Sequence, residues 1–284
     1  LTIIFVSFYS KNLIEKPISQ IDSDISIIVI ENSLDHELKK NLEDKYSNVR
    51  VVIPDNNTGN GGGANIGLRL AQTKFVLYLD IDVELSQTAI EKLYSYANKL
   101  NDFSILGPRI KGLTYKENYF SKKNIYEKVH SMNFITGCAL FFNMTALKEI
   151  GFYDENIFLY YEENDLYLRS LKKNYKIYLI EDAKIKHTGN QSTDLIKKEE
   201  IEINRNWHLM WSTFYFHKKH YGLLRAYNKT VLKLLSACLK YLVFSILRKD
   251  SDKKIYYARM SGIYNAMKGN NSWFRTNLDK VIDK

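Results

Sequence analysis

At 284 residues the chain is long enough for one large domain, or for a domain with an appendage. Its 45% hydrophobic and 26% charged content, with three prolines and no repeat or biased tract, excludes the collagen-like, disordered and low-complexity classes. The net charge of +9 is uneven: residues 201–284 carry 16 Lys/Arg against 5 Asp/Glu, whereas residues 1–200 carry 25 against 27. A basic last third suits an anionic surface, membrane or nucleic acid.

In chain order, the first 110 residues alternate apolar runs with helical patterns. Strands are predicted over 2–7, 25–31, 49–53 and 75–80, and helices over 36–46, 64–72 and 86–100, with a short helix or helix-like turn over 11–20. This alternation implies right-handed crossovers and a parallel, Rossmann-like sheet. Further on come an apolar run over 135–143, a short helix near 145–150, a helix over 162–173, and short strands over 177–180 and 183–186. Beyond about residue 200 only helices are read, so a boundary is placed at 195–205, separating 1–200 from 201–284. Cys138 and Cys238 both lie in apolar segments and read as core thiols, which fits a reducing compartment. No signal peptide is read, and the chain opens inside a strand, so a few native residues are expected before Leu1.

The most informative segment is FVLYLDIDVE, residues 75–84, an apolar run that stops on Asp80 and Asp82. Carboxylates at the C-terminal edge of a parallel strand stand where open α/β sheets bind ligands. At i and i+2 on extended backbone they point to one side and can hold a divalent cation, which in turn can hold a diphosphate. The plainer alternative is a solvated loop capping the helix that starts near Ser86.

Residues 56–67, NNTGNGGGANIG, place five glycines between a strand and a helix. Glycine allows close backbone approach to a ligand, and a helix N-terminus offers N–H groups to an anion. The spacing matches neither the dinucleotide fingerprint nor the P-loop, and a flexible loop is the alternative. Glu31 ends the second strand, where it can accept from a base or ribose, or merely precede a helix capped by Ser33 or Asp35. Glu162, Glu163 and Asp165 open a helix after FLYY; one could be a general base, while Asp165 and Arg169 are spaced as an ion pair. His187 follows a strand-like segment, and imidazole with carboxylates suits Mn²⁺ as well as Mg²⁺.

In this order the segments IIFVSFYS (3–10), IIVIENS (27–33), 56–67, LYLDIDVEL (77–85), ITGCALFF (135–142) and 150–193 resemble the family 2 glycosyltransferases of GT-A fold. Within them, the chain is most similar to the rhamnosyltransferase-like enzymes of bacterial surface-polysaccharide assembly. The resemblance covers about residues 1–195. It implies an α/β fold, a mostly parallel sheet flanked by helices, with a C-terminal helical appendage. It places Ser7 and Glu31 at the nucleotide's base and ribose, where the family usually has Asp in the second position. It places Asn57, Gly61, Gly62 and Asn65 on the nucleotide-binding loop, and Asp80 near the ribose. Asp82, Asp80 and His187 become the ligands of Mn²⁺ or Mg²⁺. Glu163 falls on the catalytic base, one methylene longer than the usual Asp, with Glu162 the second candidate. The implied reaction is a single inverting displacement on a nucleotide-diphosphate sugar, with a glycan or lipid-linked glycan as acceptor. Rhamnose is the expected sugar by subgroup, with galactose, galactofuranose and N-acetylhexosamines open.

In the tail, Trp207, Met210, Trp211, Phe214 and Tyr215 recur at helical spacing and read as a face packed on the catalytic domain, with lining of the acceptor site as its other use. Lys229, Lys233, Ser236 and Lys240 form one polar stripe in an otherwise apolar helix. That pattern fits a helix lying on an anionic membrane through residues 229–254, or one buried in a homodimer. The implied location is the cytoplasmic face of the cytoplasmic membrane. Two rival readings are a nucleic-acid-binding protein using the basic tail and an inactive GT-A scaffold. No RNA- or DNA-binding motif supports the first, and the retained acids and His187 argue against the second.

Overall fold

The computed structural model describes residues 1–126, 128–189 and 198–275. The end of the last family-like segment, 190–193, and the start of the expected boundary, 195–197, lie outside them. The chain divides into two compact units: Leu1–Tyr153 with Glu163–Asp194, and Asp154–Glu162 with Leu195–Lys284.

The first unit is a mixed sheet covered by helices. Its parallel half is built from β1 (Thr2–Ser7), β2 (Ser26–Glu31), β3 (Val49–Val52) and β4 (Phe75–Leu79), ordered β3-β2-β1-β4. β1, β2 and β4 are near-continuous runs of Ile, Val, Leu and Phe, as central strands buried on both faces require. The joining helices are α1 (Glu15–Ile18), α2 (His36–Lys45) and α3 (Gly59–Leu70). After β4 come the two-residue β5 (Val83–Glu84), α4 (Gln87–Lys99) and β6 (Phe103–Ile110). β7 (Phe120–Tyr126), β8 (Val129–Met132) and β9 (Ala139–Asn143) follow, then α5 (Met144–Ile150), α6 (Glu162–Lys172) and β10 (Lys176–His187). β9 runs antiparallel between β4 and β6, and β10 lies between β6 and β8.

The fold class is the expected α/β sheet with a C-terminal helical region, and three local expectations change. The glycine run is not a loop before α3: the helix starts at Gly59, and the glycines let it lie on β1. A Cβ on Gly67 would come within 2.7 Å of Ile4, and one on Gly63 within 2.9 Å of Val6. The two short strands over 177–186 are one strand, with a register shift between Ile180 and Lys184. Strands β6, β7 and β8 fall where no element was read.

The second unit packs α7 (Lys198–Tyr221), α8 (Leu223–Ile246) and α9 (Asp250–Met267) around Trp207, Trp211, Phe214, Ala226, Ala258 and Ala266. The aromatic repeat of α7 thus fills this unit's own core. Gly262 permits the α7–α9 crossing, since a Cβ there would sit 2.3 Å from the Trp207 carbonyl oxygen. Residues 154–162 fasten to the same unit: Tyr215 and Lys219 donate to Asp154 at 2.9 and 2.7 Å, and Ser212 donates to the Leu159 carbonyl at 2.8 Å.

Candidate active site

The acidic motif follows from alternation at the end of β4. Leu79, Ile81, Val83 and Leu85 all enter one core cluster, so Asp80 and Asp82 are turned to the other side. Asp80 N–H donates to the Cys138 carbonyl at 2.8 Å, which prolongs the pairing of β4 with β9, and the chain then turns through a Val83 N–H to Asp80 carbonyl bond. The capping alternative is answered locally: Ser86 caps α4 by accepting from Ala89 N–H.

β5 is what brings His187 to the acids. Val83 pairs with His187 and Glu84 with Lys186, antiparallel, and Thr188 donates to the Asp82 carbonyl through both N–H and hydroxyl at 3.1 Å. His187 Nε2 lies 3.2 Å from Asp82 Oδ1. One ligand atom from each of Asp80, Asp82 and His187 falls within 4.8 Å of the others. Cis ligands around one octahedral divalent cation stand about 3 Å apart, so two carboxylates and an imidazole at this spacing fit Mn²⁺ or Mg²⁺. The Tyr78 hydroxyl, 2.9 Å from Asp80 Oδ1 and 2.8 Å from Asn60 Oδ1, fixes the first carboxylate to the start of α3. Burial pushes Asp80 up to about 6, the Tyr78 bond opposing and the Asp82 charge adding to the effect.

Glu163 is the second residue of α6 and lies flat against Gly137: a Cβ on that glycine would fall 2.3 Å from Glu163 Oε1 and 2.8 Å from its Cγ. Removal from water raises its carboxyl to about 7, with the Asp80 charge contributing in the same direction. That is the protonation equilibrium a general base near neutral pH needs. Just before α6, Tyr160 and Tyr161 both take left-handed backbone, at φ 67° and 71°, which costs on the order of 1 kcal/mol each. Glu162 is buried and belongs to the helical unit. Asp165 is the ion-pair residue its spacing suggested: Arg169 Nε donates to it at 2.7 Å and ties the carbonyls of Ile150, Gly151 and Phe152.

At the ends of β1 and β2, Glu31 is fully buried and takes hydrogen bonds from the hydroxyls of Ser7 and Ser33 and from Ser33 N–H at 2.7 Å. Burial raises its carboxyl, and the two hydroxyls work against that rise. Asp35 caps α2, which leaves Ser33 to this network. Asn57 Oδ1 accepts from Gly59 N–H at 3.0 Å and so starts α3, on which Gly61 and Gly62 are buried. Asn65 is fully buried, and its amide exchanges two hydrogen bonds with the Tyr153 backbone at 2.9 and 3.0 Å. Its observed work is to hold the chain at Tyr153. Sequence reasoning missed Asn60, Tyr78 and Gly137. The sole signal for Gly137 was a small residue just before the strand that flanks β4.

The "Glycosyl transferase family 2" profile matches residues 10–151, half of the chain. The chain therefore belongs to glycosyl transferase family 2 and is by family a glycosyltransferase. It is 25% identical over 197 residues to the low-salt glycan biosynthesis hexosyltransferase Agl10 of Haloferax volcanii, covering 62% of this chain and 63% of that protein. It is also 25% identical over 232 residues to the dTDP-rhamnosyl transferase RfbF of Shigella flexneri, covering 75% and 78%. Among solved structures, the mannosyltransferase PcManGT of Pyrobaculum calidifontis, in complex with GDP-Man and Mn²⁺, superposes with a TM-score of 0.53 at 13% identity, covering 96% of this chain and 86% of that one. That neighbour shows the GT-A fold.

Proposed function

We propose that the chain is an inverting, cation-dependent glycosyltransferase that moves a hexose or deoxyhexose from a nucleotide-diphosphate sugar to a glycan or lipid-linked glycan hydroxyl. The observation that carries this reading is the convergence of Asp80, Asp82 and His187 within 4.8 Å in a unit that also holds the half-buried Glu163. A divalent cation on the first three would neutralise charge building on the departing diphosphate. Glu163 takes the proton from the acceptor hydroxyl as that oxygen bonds to the anomeric carbon. The bond from this carbon to the diphosphate oxygen breaks on the opposite face, which inverts the configuration. Ser7, Glu31 and Ser33 form the rigid end of β1 and β2 against which a nucleoside would be oriented. The RfbF relationship favours dTDP-rhamnose as donor.

The test is turnover of UDP-, dTDP- and GDP-sugars with Mn²⁺, Mg²⁺ or EDTA. One nucleotide class should turn over only with metal, and Asp82→Asn should abolish it while leaving the melting temperature in EDTA unchanged. Full turnover in EDTA, or by Asp82→Asn, overturns the reading.

A further inference from the structure

The outward side of α8 is not used by any of this chemistry. α8 has three faces. Ala226, Thr230 and Ala237 are buried within the helical unit. Leu224, Leu232, Leu235, Leu239, Leu242 and Ile246 fall in a stripe roughly 100° wide. All six are exposed, Leu224 by 76%, Leu232 by 74% and Ile246 by 81%. Arg225, Lys229, Lys233 and Lys240 form a basic edge between that stripe and the buried face. Arg248, Lys249, Lys253 and Lys254 continue the positive charge past the helix end.

An isolated exposed leucine needs no explanation, but a sustained stripe marks a contact surface. No helix among the described residues is long and apolar enough to cross a membrane. A second copy pairing through its own α8 would cover the leucines but bring no anion from that helix to the basic edge, because α8 contains no Asp or Glu. A nucleic acid would meet the lysines and leave the leucines in water. An anionic lipid surface satisfies both, apolar depth below and phosphate above. We propose that α8 is an interfacial helix whose leucine stripe enters the headgroup–acyl boundary of an anionic bilayer while Arg225, Lys229, Lys233 and Lys240 engage lipid phosphates.

The experiment is co-sedimentation of the full chain with phosphatidylcholine vesicles, with or without about one-third phosphatidylglycerol. Binding should require phosphatidylglycerol and weaken with salt. Lys229→Gln/Lys233→Gln/Lys240→Gln should lose about fivefold per lysine, on the order of a hundredfold together. Leu235→Gln/Leu239→Gln/Leu242→Gln should lose about tenfold or more while keeping the wild-type circular dichroism melt. Absence of sedimentation, or binding unchanged in the leucine variant, overturns the proposal. So does a dimer in vesicle-free buffer that the leucine variant abolishes without any vesicle binding, which would assign the face to a second copy. Tighter binding to single-stranded RNA than to vesicles would also overturn it. None of these readouts uses sugar transfer, so the proposal stands or falls apart from the catalytic reading.

Discussion

In the sheet unit, carboxylates leave water: Glu31 sits under two serine hydroxyls, Asp80 against Tyr78, and Glu163 against the bare backbone of Gly137. In the helical unit the buried His208 is neutral, held between the Ser272 hydroxyl and the Phe274 carbonyl, while leucines stand outside on α8. Buried carboxylates with raised proton affinity cost stability, and a sheet paired across its strands can bear that cost at its edge. Exposed leucines cost little until something covers them. The proposed chemistry of the first unit therefore rests on carboxylates withdrawn from water, and the proposed lipid contact of the second on an uncovered surface. Chemistry and stability should respond differently to substitution in the two.

The largest separation is expected at Glu163. Glu163→Gln removes the proposed base and should lower kcat by about 10³-fold. Stability should not fall with it. The folded carboxyl is raised, so its stabilising effect is complete below the unfolded value near 4.5 and is lost as pH rises through about 7. The glutamine variant should therefore lose stability less steeply than wild type over that window, as measured by urea melts. The rate of the wild-type chain should climb with pH as this group ionises.

His208 offers the opposite case. Its Nε2–H donates to the Phe274 carbonyl at 2.9 Å, and Nδ1, 2.8 Å from Ser272 Oγ, is left to accept, so the ring is held neutral. Burial depresses its pKa to about 3, with the Arg275 charge adding to the effect. The stability this provides is present above pH 6.5 and is lost as pH falls toward 3, on the order of 5 kcal/mol over the whole range. Urea melts from pH 7 to pH 4 should show that slope in the wild-type chain and lose most of it in His208→Gln. An unchanged slope would mean the helical unit does not depend on a neutral ring.

Gly137→Ala should divide activity from stability within the sheet unit. The three atoms nearest the added methyl all belong to the Glu163 side chain, which can swing aside, so the melt should hardly move. A misplaced base should cost about a hundredfold in kcat. If kcat survives, Glu163 does not act from where it lies.

How much of this could be read in advance divides along the same line. β1, β2 and β4 were legible because a parallel strand buried on both faces is written as an unbroken apolar run, and Asp80 and Asp82 because the run halts on them. β7 and β8 were not, because a segment such as FSKKNIY has its partners in other strands and little periodicity of its own. The start of α3 was misread because glycine locally means a loop. Here it means contact, with Ile4 and Val6 filling the space a side chain would take. Asn65 could not be understood at all from position, since these two hydrogen bonds run to a residue 88 places away.

The smallest effect tests whether the proposed donor end is held by the same economy of hydroxyls. Ser33 accepts from Tyr9 N–H at 3.0 Å and donates to Glu31, so one side chain joins the ends of β1 and β2. Tyr9 and Leu34, on either side of this bond, both have left-handed backbone, which ties local strain to the network. Ser33→Ala removes one of the bonds that favour the ionised Glu31, and the carboxyl then rises further above its ordinary range. A hydrogen bond to a charged group contributes about 1.5–3 kcal/mol, most of which water admitted into the gap would return. Donor KM should rise about three- to tenfold with kcat nearly unchanged, because the substitution loosens the nucleoside end and leaves Asp82, His187 and Glu163 in place. A fall in kcat at constant KM would instead link Glu31 to the chemistry at the far side of β4 and make the two ends of the site one device.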